Sequence, residues 1–249
     1  MSQPVNIICI KWGQKYGSEY VNRLRAMVSR HLSLPHRFVC FTDDPTGIDE
    51  NLGIEVQAIP KIGFADFDNF EPWSKGHGWL KVTSFADPLS DLTGPTIFLD
   101  LDIVIVDSID CFFEPEGEFR VIKEWDKSDA TGNTSVYRFE AGAHSDLIEL
   151  LKTQKDKVLR EVRNEQEFVT LNLHRQGKLD YWPKGWCVSF KRHCMPKGIM
   201  QWFKTASIPD GAKIVIFHGK PHPDDAIIGR SGKWYRHVKP VPWIAENWK

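Results

Sequence analysis

The sequence lacks long apolar runs, an excess of charge of one sign, and closely paired cysteines. None of its apolar runs approaches the ~20 residues that a membrane-spanning helix needs. Its 32 Lys and Arg residues almost balance 33 Asp and Glu residues, leaving a net charge of −1. Such a chain has no overall positive field to attract the phosphates of nucleic acid. We therefore expect neither a transmembrane segment nor a nucleic-acid partner.

The cysteines and the first residues bear on the compartment. The 5 Cys residues include no Cys-x-x-Cys pair, and their odd number suits a reducing compartment better than a disulfide framework. The opening residues, MSQPVNIICIKWGQ, lack the basic start and long apolar stretch of a secretory signal. A cytoplasmic protein is expected.

Apolar periodicity predicts strands alternating with helices. The runs VNIICI, RFVCF and IEVQAI are typical of buried strands, and apolar residues from Ser18 to Leu32 repeat at helical spacing. Further helices are predicted over Gly78–Leu89, His144–Val162 and a segment ending at Gly177. This alternation predicts one α/β domain over residues 1–249, with a parallel sheet covered by helices.

Two segments outside this alternation are rich in aromatic residues. Residues 61–78, KIGFADFDNFEPWSKGHG, have no clear period, and we expect a lid with hinges at Gly63, Gly76 and Gly78 and with Trp73 as its cover. The basic tail, SGKWYRHVKPVPWIAENWK, either packs against the domain or makes a peripheral contact with an anionic membrane or glycolipid. Packing is the simpler expectation.

The stretch TIFLDLDIVIVDS places Asp100 and Asp102 within an apolar run. In an extended strand the two side chains would share one face, where their charges repel and desolvation raises the cost. Protonation of one acid, exposure at a strand end, or a divalent cation between them would relieve this. Because apolar residues continue on both sides, we expect a cation, and oxygen ligands favour Mg²⁺, Mn²⁺ or Ca²⁺.

Several stretches resemble segments of one enzyme family. FLDLDIVIVDSIDCFF resembles its DxD metal motif, and VIFHGKPHP resembles its C-terminal segment with a metal-binding His. GWLKVTSFADPL is similar to the helix before DxD, while NTSVYRF and NEQEFVTLN resemble its sugar-binding segments. On these stretches the chain resembles nucleotide-sugar glycosyltransferases of the GT-A fold, in the glycogenin-like and lipopolysaccharide galactosyltransferase-like group (family eight). That fold implies a mixed, mostly parallel central sheet with a Rossmann-like nucleotide-binding half.

The resemblance also implies roles for individual residues. A Mn²⁺ or Mg²⁺ ion would bridge the phosphates of the donor and stabilise the departing diphosphate, and it would be held by Asp100, Asp102 and His218. The phosphates would meet Lys81, Lys220 and Gly219, and the sugar would meet Asn133, Glu165 and Gln166. The base and ribose would contact Trp12 or Tyr16 and Asp43. The chain departs from the family at Glu165, which replaces a shorter acid, and at Trp12, which is bulky where small residues are usual.

The resemblance implies a metal-dependent hexosyltransferase that uses a nucleotide diphosphate sugar, a UDP-sugar by analogy, and a glycan, glycolipid or other hydroxyl acceptor, with retention of configuration. Two alternatives remain open. The Asp pair also resembles the first motif of haloacid-dehalogenase-like phosphohydrolases, although three predicted strands precede it here. A GT-A-like domain that binds nucleotide sugar or glycan without transfer is the other.

Overall fold

A central sheet is built from the buried β-branched runs of the chain. A computed structural model describes residues 4–64, 68, 77–232 and 236–249. Within these residues seven strands form the sheet, namely β1 (Val5–Lys11), β2 (His36–Thr42), β3 (Glu55–Ala58), β4 (Pro95–Leu99), β6 (Phe119–Lys123), β7 (Gly132–Glu140) and β8 (Leu179–Tyr181). Their order across the sheet is β3-β2-β1-β4-β7-β6-β8.

The strand pairing confirms the predicted mixed, mostly parallel sheet. Strand β1 runs parallel to β2 and to β4, with Ile8 opposite Val39 on one side and Phe98 on the other. Strand β2 is parallel to β3, and strand β6 is parallel to β8. Strand β7, in contrast, is antiparallel to both β4 and β6. Because β1 lies between β2 and β4, the direction in which strands are added reverses there, which opens a crevice at the carboxyl ends of β1 and β4.

A smaller sheet corrects the prediction that TIFLDLDIVIVDS is one continuous strand. The stretch divides into β4 and β5 (Ile103–Ile105), which belong to different sheets, and β5 pairs with β10 (Ile214–Ile216), itself next to β9 (Cys187–Ser189). Asp100 and Asp102 lie in the turn between the two strands. The alternation of strand faces therefore does not govern their directions. In a turn, side chains two residues apart need not point to the same face, as they do in a continuous strand.

The helices follow the predicted periodicity, with one exception. They are α1 (Ser18–His31), α2 (Asp146–Glu161), α3 (Glu165–Arg175) and the short α4 (Pro223–Ile227) and α5 (Pro242–Asn247). Gly177, with φ of 72°, follows α3 as predicted. The segment predicted as a helix over Gly78–Leu89 is instead a 3₁₀ helix over His77–Phe85. There the hydroxyls of Thr83 and Ser84 each donate to the carbonyl three residues earlier, at 2.7 Å, which suits the tighter turn.

The described part of the tail, residues 236–249, packs on the domain, which is the simpler of the two expectations. Trp248 is buried, its ring 5.0 Å from Tyr20 and its face covered by Arg23. The indole nitrogen of Trp243 donates to the carbonyl of Ala206 at 2.9 Å. Most of the predicted lid, including Trp73 and Gly76, lies outside the described residues. Among the helices that are described, none is both long and apolar enough to cross a membrane.

Candidate active site

A cleft of about 700 Å³ lies at the carboxyl ends of β1 and β4. Nine of the predicted site residues line it, although they come from distant parts of the sequence. These nine are Trp12, Tyr16, Lys81, Asp100, Asp102, Asn133, Gln166, His218 and Gly219. Ligands of open α/β sheets bind in such a crevice, where the strand order reverses.

Asp100 forms the floor of the cleft together with Lys81, and both side chains are partly buried. The Nζ atom of Lys81 lies 2.6 Å from Oδ1 and 2.8 Å from Oδ2 of Asp100, and 3.9 Å from Oε1 of Glu165. Burial lowers the pKa of Lys81, but the two carboxylates more than offset this, so its pKa is raised overall. Burial raises the pKa of Asp100 and of Glu165, which Lys81 only partly counters. The floor thus holds a partly buried cation between two acids.

Glu165 is not a solvated residue at a helix N-terminus. Its side chain is buried behind Lys81, does not line the cleft, and accepts a hydrogen bond from the hydroxyl of Thr134. The preceding Asn164 caps α3 by accepting from the backbone N–H of Glu167 at 3.0 Å. This cap fixes the start of the helix, which directs Glu165 inward and leaves Gln166 facing the cleft.

Asp102, two residues further along the same turn, also lines the cleft and contacts an aromatic cluster around Tyr16. The hydroxyl of Tyr16 donates to Oδ2 of Asp102 at 2.5 Å, and burial followed by this carboxylate raises the pKa of the phenol. Nδ1 of His222 lies 3.7 Å from the same oxygen. That nitrogen is buried and has no hydrogen-bond partner among the described residues. An unpaired buried imidazole nitrogen is costly, so it marks a place where a ligand can bind.

His218, the predicted third metal ligand, lies on the cleft wall, and one of its two ring nitrogens already has a partner. Its Nε2 is 2.6 Å from Oγ of Ser189, and its ring stacks on Trp125 with centroids 5.8 Å apart. Burial, and then the charges of Lys191 and Arg192, lower the pKa of His218 to about 4. The imidazole is therefore neutral at physiological pH, the state required of a metal ligand.

Asn133 is held in place by neighbours that the sequence analysis did not identify. Its Oδ1 accepts from the backbone N–H of Ser135 at 3.0 Å, and its Nδ2 donates to Glu124 at 3.3 Å. Both partners line the cleft, as does Arg192, which is paired with Asp126. A β-bulge between Val121 and Ile122 brings Ile122 opposite Asn133. Nothing in the local sequence of Glu124 or Arg192 indicates this position.

Three predicted residues lie outside the cleft lining. Glu165 is buried behind it, as described above. Asp43 is exposed and accepts from the backbone N–H of Gly13 at 3.0 Å, so it supports the loop that borders the cleft. The exposed Lys220 places its Nζ 3.9 Å from Asp225. Its neighbour Gly219, with φ of 64°, does line the cleft.

The predicted metal-binding trio is not gathered around a point in the described structure. Among the described residues no group of three or more His, Cys, Asp or Glu side chains is arranged to hold a metal ion. Asp100 contacts Lys81, Asp102 contacts Tyr16, and His218 contacts Ser189. The histidine nearest to Asp102 with a free nitrogen is His222, which was not predicted as a ligand.

Comparisons with known proteins give the fold. No protein-family model and no curated protein sequence matches the chain. Among solved structures, it is similar to a galactosyltransferase, LgtC, in complex with donor and acceptor sugar analogues, with a TM-score of 0.58, 11% identity and 88% of each chain covered. The structure of an active-site mutant of LgtC gives a TM-score of 0.58 at 12% identity, covering 88% of this chain and 89% of that one.

A second glycosyltransferase has the same fold. The apo form of GlyE from Streptococcus pneumoniae TIGR4 matches with a TM-score of 0.51 and 11% identity, over 75% of this chain and 46% of that one. The predicted GT-A fold is thereby confirmed. Activity does not follow from similarity at this level of identity, because one fold hosts many functions and the function depends on the site.

Proposed function

We propose that the protein is a glycosyltransferase that moves a hexose from a nucleotide diphosphate sugar, a UDP-sugar, to a hydroxyl acceptor with retention of configuration. One observation supports this above the others. Residues assigned to metal, phosphate, sugar and base from the family resemblance converge on one cleft at the strand-order reversal of a glycosyltransferase fold. These nine residues come from segments spread between Trp12 and Gly219, and all of them line this one crevice.

The side chains of the cleft suit the chemistry of donor cleavage. Lys81 supplies a fixed positive charge whose raised pKa keeps it protonated at neutral pH, as stabilisation of a departing diphosphate requires. Asn133 and Gln166 present neutral amides that can orient sugar hydroxyls without repelling the phosphates. Glu165, buried behind Lys81 at 3.9 Å, acts by positioning the lysine.

A divalent cation, Mn²⁺ or Mg²⁺, fits the donor set on the Asp102 side of the cleft. Asp102 offers a carboxylate, and the orphaned Nδ1 of His222 lies 3.7 Å from it, a buried polar atom that lacks a partner. Asp100, Asp102 and an imidazole from His218 or His222 would hold the ion once the two carboxylates turn from their present partners, Lys81 and Tyr16. When bound, it would neutralise charge on the leaving diphosphate. We favour His222 as the imidazole ligand because its Nδ1 already lies 3.7 Å from Asp102. His218 could bind only through Nδ1, since its Nε2 is 2.6 Å from Oγ of Ser189.

Manganese titrations followed by electron paramagnetic resonance separate the two histidines. We expect His222→Ala to weaken Mn²⁺ binding by about tenfold or more, and His218→Ala to weaken it less. Removing a side chain that binds the ion directly reduces the affinity more than removing one that lies beside the site. The reverse order would assign the ligand to His218. Equal Mn²⁺ binding by both variants and wild type would show that neither imidazole binds the ion.

Turnover tests the transferase proposal. In a panel of UDP-, GDP- and dTDP-sugars, wild-type protein with Mn²⁺ should release UDP from at least one UDP-sugar, slowly with water and faster with an acceptor, and should release no GDP or dTDP. Asp102→Asn should abolish the release. The matched control is Asp107→Asn, whose carboxylate pairs with Lys213 at 2.5 Å and does not line the cleft. It should retain activity.

The two alternatives predict different outcomes in the same experiment. A nucleotide- or glycan-binding domain without catalysis would bind a panel member and release no nucleoside diphosphate. A haloacid-dehalogenase-like phosphohydrolase would release inorganic phosphate from simple phosphate esters. The present fold gives the latter no support, since the Asp pair follows the fourth strand of a glycosyltransferase-like sheet.

A further inference from the structure

The chain is nearly neutral, but its charges are unevenly distributed. Residues 181–209 contain no Asp or Glu and include Lys184, Lys191, Arg192, Lys197 and Lys204. This 29-residue stretch therefore has a formal charge of +5 in a protein whose net charge is −1. Local charge of one sign attracts a partner of the opposite sign over roughly a Debye length.

The same stretch exposes apolar side chains. Its 3₁₀ helix, Gly198–Trp202, and the next residue leave Ile199 72%, Trp202 57% and Phe203 67% exposed, with Met200 at 38%. These are four of the six large apolar side chains that are exposed in the described part of the chain. We call Lys197 to Lys204 the apolar ridge. Clustered exposure of this kind marks an interaction surface, unlike apolar residues scattered singly.

The ridge is held in its exposed position by packing at its base. The ring of Trp202 stacks on His237 with centroids 4.2 Å apart, and the backbone N–H of His237 donates to Gln201 at 2.9 Å. The ammonium of Lys239 donates to the carbonyl of Phe203 at 3.0 Å. These contacts anchor the ridge, so its exposed faces are presented by a fixed element.

A basic cavity of about 400 Å³ adjoins the ridge and the cleft. Four cations line it, Lys191, Arg192, Lys197 and Arg236. Arg192 also lines the cleft, and Nζ of Lys191 donates to the carbonyl of His218 on the cleft wall. Lys197 begins the ridge. An anionic group in this cavity would therefore lie between the apolar ridge and the candidate active site.

We propose that the apolar ridge and the basic cavity dock the protein on the surface of an anionic lipid bilayer. Trp, Phe and Ile side chains of a short, ridge-like element enter the boundary between headgroups and acyl chains, while Lys and Arg beside them meet anionic headgroups. The charge complementarity selects this partner, because the whole 181–209 stretch lacks a carboxylate. Docked this way, the basic cavity, which shares Arg192 with the cleft, lies against the headgroups. The docking itself does not depend on the proposed transferase activity.

Vesicle co-sedimentation tests the docking. We expect the full-length protein to bind vesicles of about three parts phosphatidylcholine to one part phosphatidylglycerol, to bind pure phosphatidylcholine at least about tenfold more weakly, and to dissociate as salt is raised. The double variant Trp202→Ser/Phe203→Ser should lower partitioning by about tenfold or more, as should Lys197→Gln/Lys204→Gln. UDP binding measured in the same preparations reports that the cleft is intact.

Matched controls separate the ridge from general surface properties. Ile228→Ser removes an apolar side chain that is 59% exposed elsewhere, and Lys157→Gln removes a charge on α2; neither should change partitioning. No binding to anionic vesicles, equal binding to both vesicle types, or binding that survives both double variants would overturn the proposal. So would a concentration-dependent dimer that the Trp202→Ser/Phe203→Ser variant abolishes, because the ridge would then be an interface between copies of the chain.

Discussion

Lys81 lies between two carboxylates, the partly buried Asp100 at 2.6 Å and the buried Glu165 at 3.9 Å. We predict that Lys81→Met lowers the free energy of unfolding by about 3 kcal/mol at neutral pH, because it leaves these acids without their cation. Lys157→Met, on the exposed face of α2, should change it by less than about 0.5 kcal/mol. Urea unfolding of the three proteins measures both values.

The pH dependence of this loss identifies its cause. Burial already raises the pKa of Asp100 and Glu165, and removal of Lys81 raises both further. The acids of the variant therefore take up protons at a higher pH in the folded state, which relieves their repulsion. The difference in unfolding free energy between wild type and Lys81→Met should therefore shrink as the pH falls from neutral towards roughly 4, the pKa of these acids in the unfolded chain. A constant deficit would mean that lost packing is responsible.

His144 gives a second pH-dependent prediction, away from the cleft. Burial lowers its pKa, its Nδ1 has no described partner, and its ring packs edge-on against Phe85 and Phe119. Its folded state is neutral, whereas the unfolded chain binds a proton below roughly pH 6.5. Stability contributed by this residue is therefore lost as the pH falls through that value. His144→Asn, which suits the φ of 66°, should show a shallower decline in urea-unfolding free energy between neutral and acidic pH than wild type. Parallel profiles would contradict this.

Some of the predicted site residues that line the cleft have a local sequence pattern around them. Asp100 and Asp102 follow an apolar strand, and Lys81 lies on the segment before it, so the order along the chain indicates both. His222 and Arg192 lack such a signal. His222 meets Asp102 across 120 residues of sequence, and only the packing of α4 beside Tyr16 brings them together.

Among the elements, the bulge between β6 and β7 leaves no room for a side chain at Gly132. A Cβ there would lie 2.7 Å from Cγ1 of Val121, 2.8 Å from Cγ2 of Thr170 and 3.0 Å from the carbonyl of Ile122. We predict that Gly132→Ser lowers the free energy of unfolding by about 1–3 kcal/mol through overpacking. Because the next residue is Asn133, the cleft wall should shift as well.

Gly17→Ser is the matched control for that substitution. Gly17 has an ordinary φ of −77° at the N-cap of α1, where Ser is preferred. Its added Cβ meets the flexible end of Glu19, which can move away. We expect a change of within about 0.5 kcal/mol in urea unfolding. If Gly132→Ser were as stable as this control, the bulge would not be tightly packed.

Element types could be predicted from periodicity, while their ends and partners could not. The buried strands β1 and β2 and the amphipathic α1 have strong repeats, and each lies where the sequence predicts. The stretch that contains the Asp pair is predicted as one strand because its apolar residues continue on both sides of the pair. It bends at Leu101 into a second sheet because β10, more than a hundred residues later, pairs with β5. Long-range pairing of this kind has no local signal.

For the whole molecule, the resemblance predicted the GT-A fold, and the similarity to LgtC confirms it. The sheet order then explains why the cleft lies where it does, between β1 and β4. The basic stretch over 181–209 is found only when charges are counted segment by segment, because the positive and negative charges of the whole chain nearly cancel. Its spatial relation to the cleft depends on β9 and β10 pairing beside β5.

We expect the cleft to bind a nucleoside diphosphate together with a divalent cation at Asp102. A calorimetric titration with UDP measures this binding directly. Wild type and Asp107→Asn should bind UDP in the presence of Mn²⁺. Omitting Mn²⁺, or replacing Asp102 in Asp102→Asn, should weaken binding at least about tenfold, a change of about 1.4 kcal/mol. Equal affinity in all four conditions, or no binding of UDP by wild type with Mn²⁺, would contradict the account.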